Sequence, residues 1–112
     1  RVIIGLRCLM EKYTPHYDLA LIKAQVIRLG HRAFTATARE SARQLELSIG
    51  QMRLAVCALE TRMLYKSMTT YADHRIWQDV YLIKMYGTEI YIKVTHRPGG
   101  EAPVISFKEK TL

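Results

Sequence analysis

Apolar residues recur at three- and four-residue spacing up to about Thr61 and alternate with polar ones after it, so the chain must build helices first and strands second. Leu19, Ile22, Val26 and Leu29 line one helical face, with Asp18 placed to cap the start and Gly30 to stop the end. A second helix is expected from Thr37 to Leu45, with a thin apolar stripe because Arg39 and Arg43 intrude. A third is expected from Ile49 to Leu59, and Thr35, Ser48 and Gly50 punctuate the joins. Beyond Thr61, Tyr, Ile, Val and Thr become dense, and strands are predicted at 61–70, 77–86, 88–96 and 103–110. Arg97 to Pro103 is too rich in Gly and Pro to lie inside a sheet and reads as a turn. The expected fold class is α+β: N-terminal helices packed on an antiparallel sheet of about four strands, in one domain spanning 10–112.

Composition narrows the class of partner. The 112 residues suffice for one modest core. Seventeen Lys and Arg against ten Asp and Glu leave a net charge of +7, an excess that attracts polyanions such as RNA or DNA. The apolar run Val2-Ile3-Ile4-Gly5-Leu6 is far shorter than a bilayer span, so a soluble, cytoplasmic protein with no membrane partner is expected. Cys8 and Cys57 form neither a disulfide framework nor a paired metal motif and read as reduced thiols, Cys57 as a small core residue. Residues 1–9 read as an extension outside the domain, with Met10-Glu11-Lys12 resembling a natural start. Arg7 interrupts their short apolar stretch, so they do not read as a signal peptide.

Strand parity singles out a second face at the C-terminus. Ile90, Ile92 and Val94 share one side of a strand, and Ile105 and Phe107 one side of its partner; both sides are expected in the core. Tyr91, Lys93 and Thr95 then face the other way, together with Ser106, Lys108 and Lys110. Keeping both apolar sides together requires even positions to pair with odd ones, which puts either Tyr91 or Lys93 opposite Lys108. Lysines facing one another across strands destabilise a sheet unless an anion lies between them. Two readings therefore stand: a solvated face with lysines pointing to water, or a cationic site with a phenol in it.

The stretch Tyr65-Lys66-Ser67-Met68-Thr69-Thr70-Tyr71-Ala72-Asp73-His74-Arg75-Ile76-Trp77-Gln78-Asp79-Val80-Tyr81 resembles the signature of the MqsR toxin family. Met10-Glu11-Lys12 with Thr14-Pro15-His16, and Ile105-Ser106-Phe107-Lys108-Glu109-Lys110, agree with it in order. The resemblance spans Met10 to Lys110 and is loose through the helices. It implies a RelE-toxin-like fold and a metal-independent mRNA interferase that cuts free message, preferring GCU, without any cofactor. It also implies a cognate antitoxin with a zinc-binding N-terminal domain and a helix-turn-helix domain, through which alone DNA would be contacted. The family's active-site positions map onto Lys66, Gln78, Tyr91 and Lys108, all of the family's residue type. The 97–103 turn is longer than the family's tight connection.

Metal-free RNA cleavage needs a base for the 2′-OH, an acid for the departing 5′ oxygen and cations for the phosphoryl charge. Lys66 and Lys108 are the candidates for the cations. Tyr91 is the candidate acid or base if neighbouring lysines lower its pKa. Gln78 can position a base edge or phosphate but cannot exchange protons at neutral pH. Lys93, Lys110 and Arg75 are the candidates for binding the RNA strand. His74 is expected to orient a neighbour or stand in a loop, and Trp77 to pack in the core. His16, His31 and His96 show no metal-ligand spacing, and no metal is expected. The alternative is a non-catalytic RNA-binding or regulatory module acting through a DNA-binding antitoxin.

Overall fold

Each α-helix described begins at a side chain that accepts from the backbone. The computed structural model describes residues 10–97 and 99–111; the expected extension at 1–9 with Cys8, and Pro98 of the turn, lie outside them. Helix α1 (Leu19–Leu29) starts at Asp18, whose Oδ1 accepts from Ala20 N at 2.9 Å, and stops at Gly30, where φ is 61°. Helix α2 (Ala36–Gln44) is capped by Thr35, and α3 (Ile49–Cys57) by a reciprocal pair in which Ser48 and Gln51 satisfy each other's backbone N–H. The thin stripe of α2 consists of Ala38 and Ala42, both fully buried. Thr35 N donates to Val104 O at 3.0 Å, fastening the start of α2 to the last strand.

Among the described residues five strands, one more than expected, form an antiparallel sheet in chain order: β1 (Glu11–Lys12), β2 (Leu64–Thr69), β3 (Trp77–Met85), β4 (Thr88–Val94) and β5 (Val104–Glu109). Two residues are too short for alternation to announce a strand, which is why β1 was not legible. Residues 61–63 form a 3₁₀ turn rather than the start of a strand. Tyr86 and Gly87, both with positive φ (57° and 78°), make the two-residue turn between β3 and β4.

One side of the sheet carries Tyr81, Ile83, Ile90, Ile92, Val94, Val104 and Phe107, and these merge with Ile22, Val26, Met52 and Val56 of the helices into one core. Full burial of each large side chain there contributes roughly 1.5–3 kcal/mol. Cys57, expected in that core, is half-buried at the end of α3.

Two bulges set which residues face which way. In β2, Leu64 pairs with Tyr81 and Lys66 with Val80, leaving Tyr65 as an extra residue. Strict alternation would put Leu64 and Lys66 on the same side; the bulge sends Leu64 to the core and Lys66 to the open face. In β5, Lys93 pairs with Ser106 but Val94 pairs with Val104, so Ile105 is the extra residue. This corrects one expectation: the core positions are Val104 and Phe107, and Ile105 is half-exposed. Thr95 departs likewise from its expected open face. It lies past the end of β4, is 1% exposed, and its hydroxyl donates to Trp77 O at 2.8 Å.

Candidate active site

The open face of the sheet is built in cross-strand rows. Lys66, Val80, Lys93 and Ser106 form one row across β2 to β5. Leu82, Tyr91 and Lys108 form the next, so of the two pairings parity allowed, Tyr91 is the residue opposite Lys108. Gln78 lies opposite Met68, on the same face one row beyond Val80. Val80 is completely buried and stands between Lys66 and Lys93 in this row as a small apolar floor.

Tyr91 is the hub of this face. The ammonium of Lys108 stands 5.2 Å from its ring centre and that of Lys93 5.8 Å, both within cation–π range. Burial pushes the Tyr91 phenol above its ordinary pKa; Lys66 opposes the shift without reversing it. The condition set for Tyr91, a pKa lowered by neighbouring lysines, is therefore not met, because desolvation of the phenolate outweighs the attraction of Lys66. The phenol is held in its proton-donating form. Lys93 is pushed the other way, below the usual lysine value, first by burial and then by Lys108 and Lys66.

Lys66 has a partner that sequence reasoning did not identify. Its Nζ lies 2.7 Å from Glu11 Oε2 on β1, and this hydrogen bond raises the Lys66 pKa against the opposing effect of burial. Glu11 pairs across strands with Met68 and so shares the open face. The segment carrying it is anchored by Asp79, a fully buried carboxylate on the core face of β3. Asp79 accepts from His16 N, from Tyr17 N and from Ser67 Oγ, the last at 2.6 Å. An acidic residue on the core parity of a strand was the available signal for this anchor. Trp77, expected in the core, instead stacks against His16 with 5.0 Å between ring centres and carries Lys12 Nζ over its ring at 4.4 Å. It does so because Trp77 opens β3, where the anchored segment crosses.

Lys66, Gln78, Tyr91, Lys93 and Lys108 are thus brought to one face. Lys110 follows β5 and stands 3.7 Å from Glu89, at the far end of that face. Arg75 does not join them: it lies on the exposed loop between β2 and β3, gripped by Asp73. That ion pair holds the Asp73 carboxyl at about 2. His74 is exposed on the same loop. Among the described residues no three His, Cys, Asp or Glu side chains gather in a way that could hold a metal ion. No helix described is long and apolar enough to cross a membrane.

Comparison with known proteins identifies the family. The family described as "Motility quorum-sensing regulator, toxin of MqsA" matches residues 14–109, which include every strand of the face except β1. The mRNA interferase toxin MqsR of Escherichia coli (strain K12) is 39% identical over 103 residues, covering 90% of this chain and 100% of the relative. A match of that extent, running through the whole lysine-bearing sheet, makes this chain a member of the MqsR toxin family.

Proposed function

We propose that this chain is the toxin of a type II toxin–antitoxin pair and a ribosome-independent mRNA endoribonuclease. It cuts single-stranded message at GCU-type sites by metal-independent attack of the 2′-OH on phosphorus, leaving a cyclic phosphate and a 5′-OH, and so arrests translation and growth in the cytoplasm. The observation carrying this reading is the set of three lysines around a protonated phenol on one open sheet face. Lys66 and Lys93 flank the Val80 floor and offer charge to the non-bridging phosphoryl oxygens. Tyr91, held protonated, gives its proton to the departing 5′ oxygen, with Lys108 over its ring to stabilise the phenolate that forms. Gln78 positions the adjoining nucleotide, and Lys110 extends the cationic track along the strand. An antitoxin with a zinc-binding N-terminal domain and a helix-turn-helix domain is the partner that restrains the toxin, and DNA is contacted through that partner.

The test is incubation with a short single-stranded RNA bearing one GCU, in EDTA and without ribosomes, beside an RNA lacking the triplet. Cutting at the triplet, lost in a Lys66→Ala, Lys108→Ala double variant, is expected. Folded protein that binds this RNA without cutting it would reduce the assignment to an RNA-binding module.

A further inference from the structure

We propose that Glu11 is the general base of the cleavage, accepting the proton of the attacking 2′-OH. The inference rests on the RNA-cleaving reading above and supplies the one group which that reading lacks.

Its starting point is proximity. Glu11 Oε2 accepts from Lys66 Nζ at 2.7 Å, which leaves the second oxygen of the carboxylate as the one to take a proton. A 2′-OH and the phosphate it attacks belong to one nucleotide, so a cation that grips the phosphate must have the base as its neighbour. The Glu11–Lys66 pair has that arrangement. The remaining groups of the face are poorly suited to accept a proton. Lys66 is kept protonated by Glu11 itself, Tyr91 is kept protonated by burial, and Gln78 does not titrate. Lys93 is the one rival, and it stands on β4 beside Tyr91, on the side of the acid.

In-line displacement places base and acid on opposite sides of phosphorus. Strand order supplies that separation: Glu11 on β1, Lys66 on β2, the Val80 floor on β3 and Tyr91 on β4. The step balances. The 2′-OH gives its proton to Glu11 as the O2′–P bond forms, and the P–O5′ bond breaks as Tyr91 protonates O5′. The carboxylic acid and phenolate then return to their starting forms by exchange with water. The phenols of Tyr13 and Tyr65 are the other titratable groups acting on Lys66, while Lys12, of opposite parity on β1, lies against His16 and Trp77 on the other side of the sheet.

The experiment measures single-turnover cleavage of a GCU-bearing RNA between pH 4 and 9 for the full chain and for Glu11→Gln. Binding of a 2′-deoxy analogue is measured in parallel. Wild type is expected to show an acid limb at the low-pH end of this range. Glu11→Gln should lose that limb and about 100-fold in rate, with analogue affinity unchanged. Glu11→Ala should recover activity on addition of formate, a response that a purely structural carboxylate does not give. Unchanged or faster cutting by Glu11→Gln would overturn the proposal and make Glu11 a competitor that neutralises Lys66. A loss explained wholly by weaker analogue binding would overturn it too. Wild type that binds and never cuts would instead sink the cleavage reading itself.

Discussion

On β4, Ile90, Ile92 and Val94 are completely buried, while Tyr91 and Lys93, interleaved with them, remain half-exposed on the opposite face. On β5, Phe107 is fully buried and Lys108, the next residue, is exposed. The same strands therefore present a packed apolar layer to the helices and a cationic layer to solvent. The core face is constrained by shape, since a missing group there leaves a cavity. The open face is constrained by charge instead, with Lys66, Lys93 and Lys108 gathered there around Tyr91. Adjacent residues in sequence are for this reason expected to fail in different assays.

The sharpest test sets Phe107→Ala against Lys108→Ala. Phe107→Ala should lose about 3–5 kcal/mol of stability in denaturant unfolding, from lost burial and the cavity left behind. Lys108→Ala should change stability by about 0.5 kcal/mol or less while slowing RNA cleavage by roughly 10²–10³. A Lys108→Ala variant that unfolds as readily as Phe107→Ala would break the distinction between the faces.

Asp79 is the exception on the core face, and its removal tests whether burial or charge rules there. Asp79→Ala leaves His16 N, Tyr17 N and Ser67 Oγ without their acceptor. A loss of about 3 kcal/mol is expected, together with faster hydrogen exchange in the segment 14–17. A neutral result would mean that the segment holds itself in place.

Lys93→Met tests the open face from the other side. The methionine keeps the stem and removes a charge that burial disfavours, so stability at neutral pH should stay equal or rise slightly. RNA affinity should fall, with the slope of log affinity against log salt shallower by about one. Because the folded-state pKa of Lys93 lies below the unfolded value of 10.5, the unfolded chain binds more protons between the two. The Lys93 contribution to stability therefore rises with pH in the window just below 10.5, and the methionine variant should lack that rise in thermal unfolding.

The smallest effect is expected at the exposed Asp73–Arg75 pair. Asp73→Asn should leave thermal stability unchanged at pH 7 in physiological salt, since exposed pairs are screened. The carboxyl is depressed to about 2 from 3.8, so whatever the pair contributes is present above 3.8 and lost as pH falls through about 2. A large effect on RNA cutting would return Arg75 to the site.

Helix ends were legible because caps are local: Asp18, Thr35, Ser48 and Gly30 each act on a backbone group within a few residues. The opposition of Tyr91 and Lys108 was one of two pairings that parity allowed, because a period of two leaves a hairpin few registers that keep both apolar sides together. The face of Ile105 was misread for the same reason, since a bulge resets parity without altering composition. The partners of Glu11 and Asp79 were not legible, although the core parity of Asp79 marked it as a residue in need of donors. Glu11 and Asp79 lie 55 and 62 residues from Lys66 and Tyr17 respectively, and no local pattern reports a contact across that separation.

What the sequence determined by itself is the order of helices and strands, the polyanion-attracting charge and the lysine–tyrosine side of the last hairpin, because each follows from residue type and period. The tertiary structure alone decided that Lys66 joins that side from another strand, that Tyr91 keeps its proton, and that a carboxylate from β1 stands beside Lys66. Those outcomes depend on register, burial and distance between strands, and such quantities exist only once the sheet has assembled.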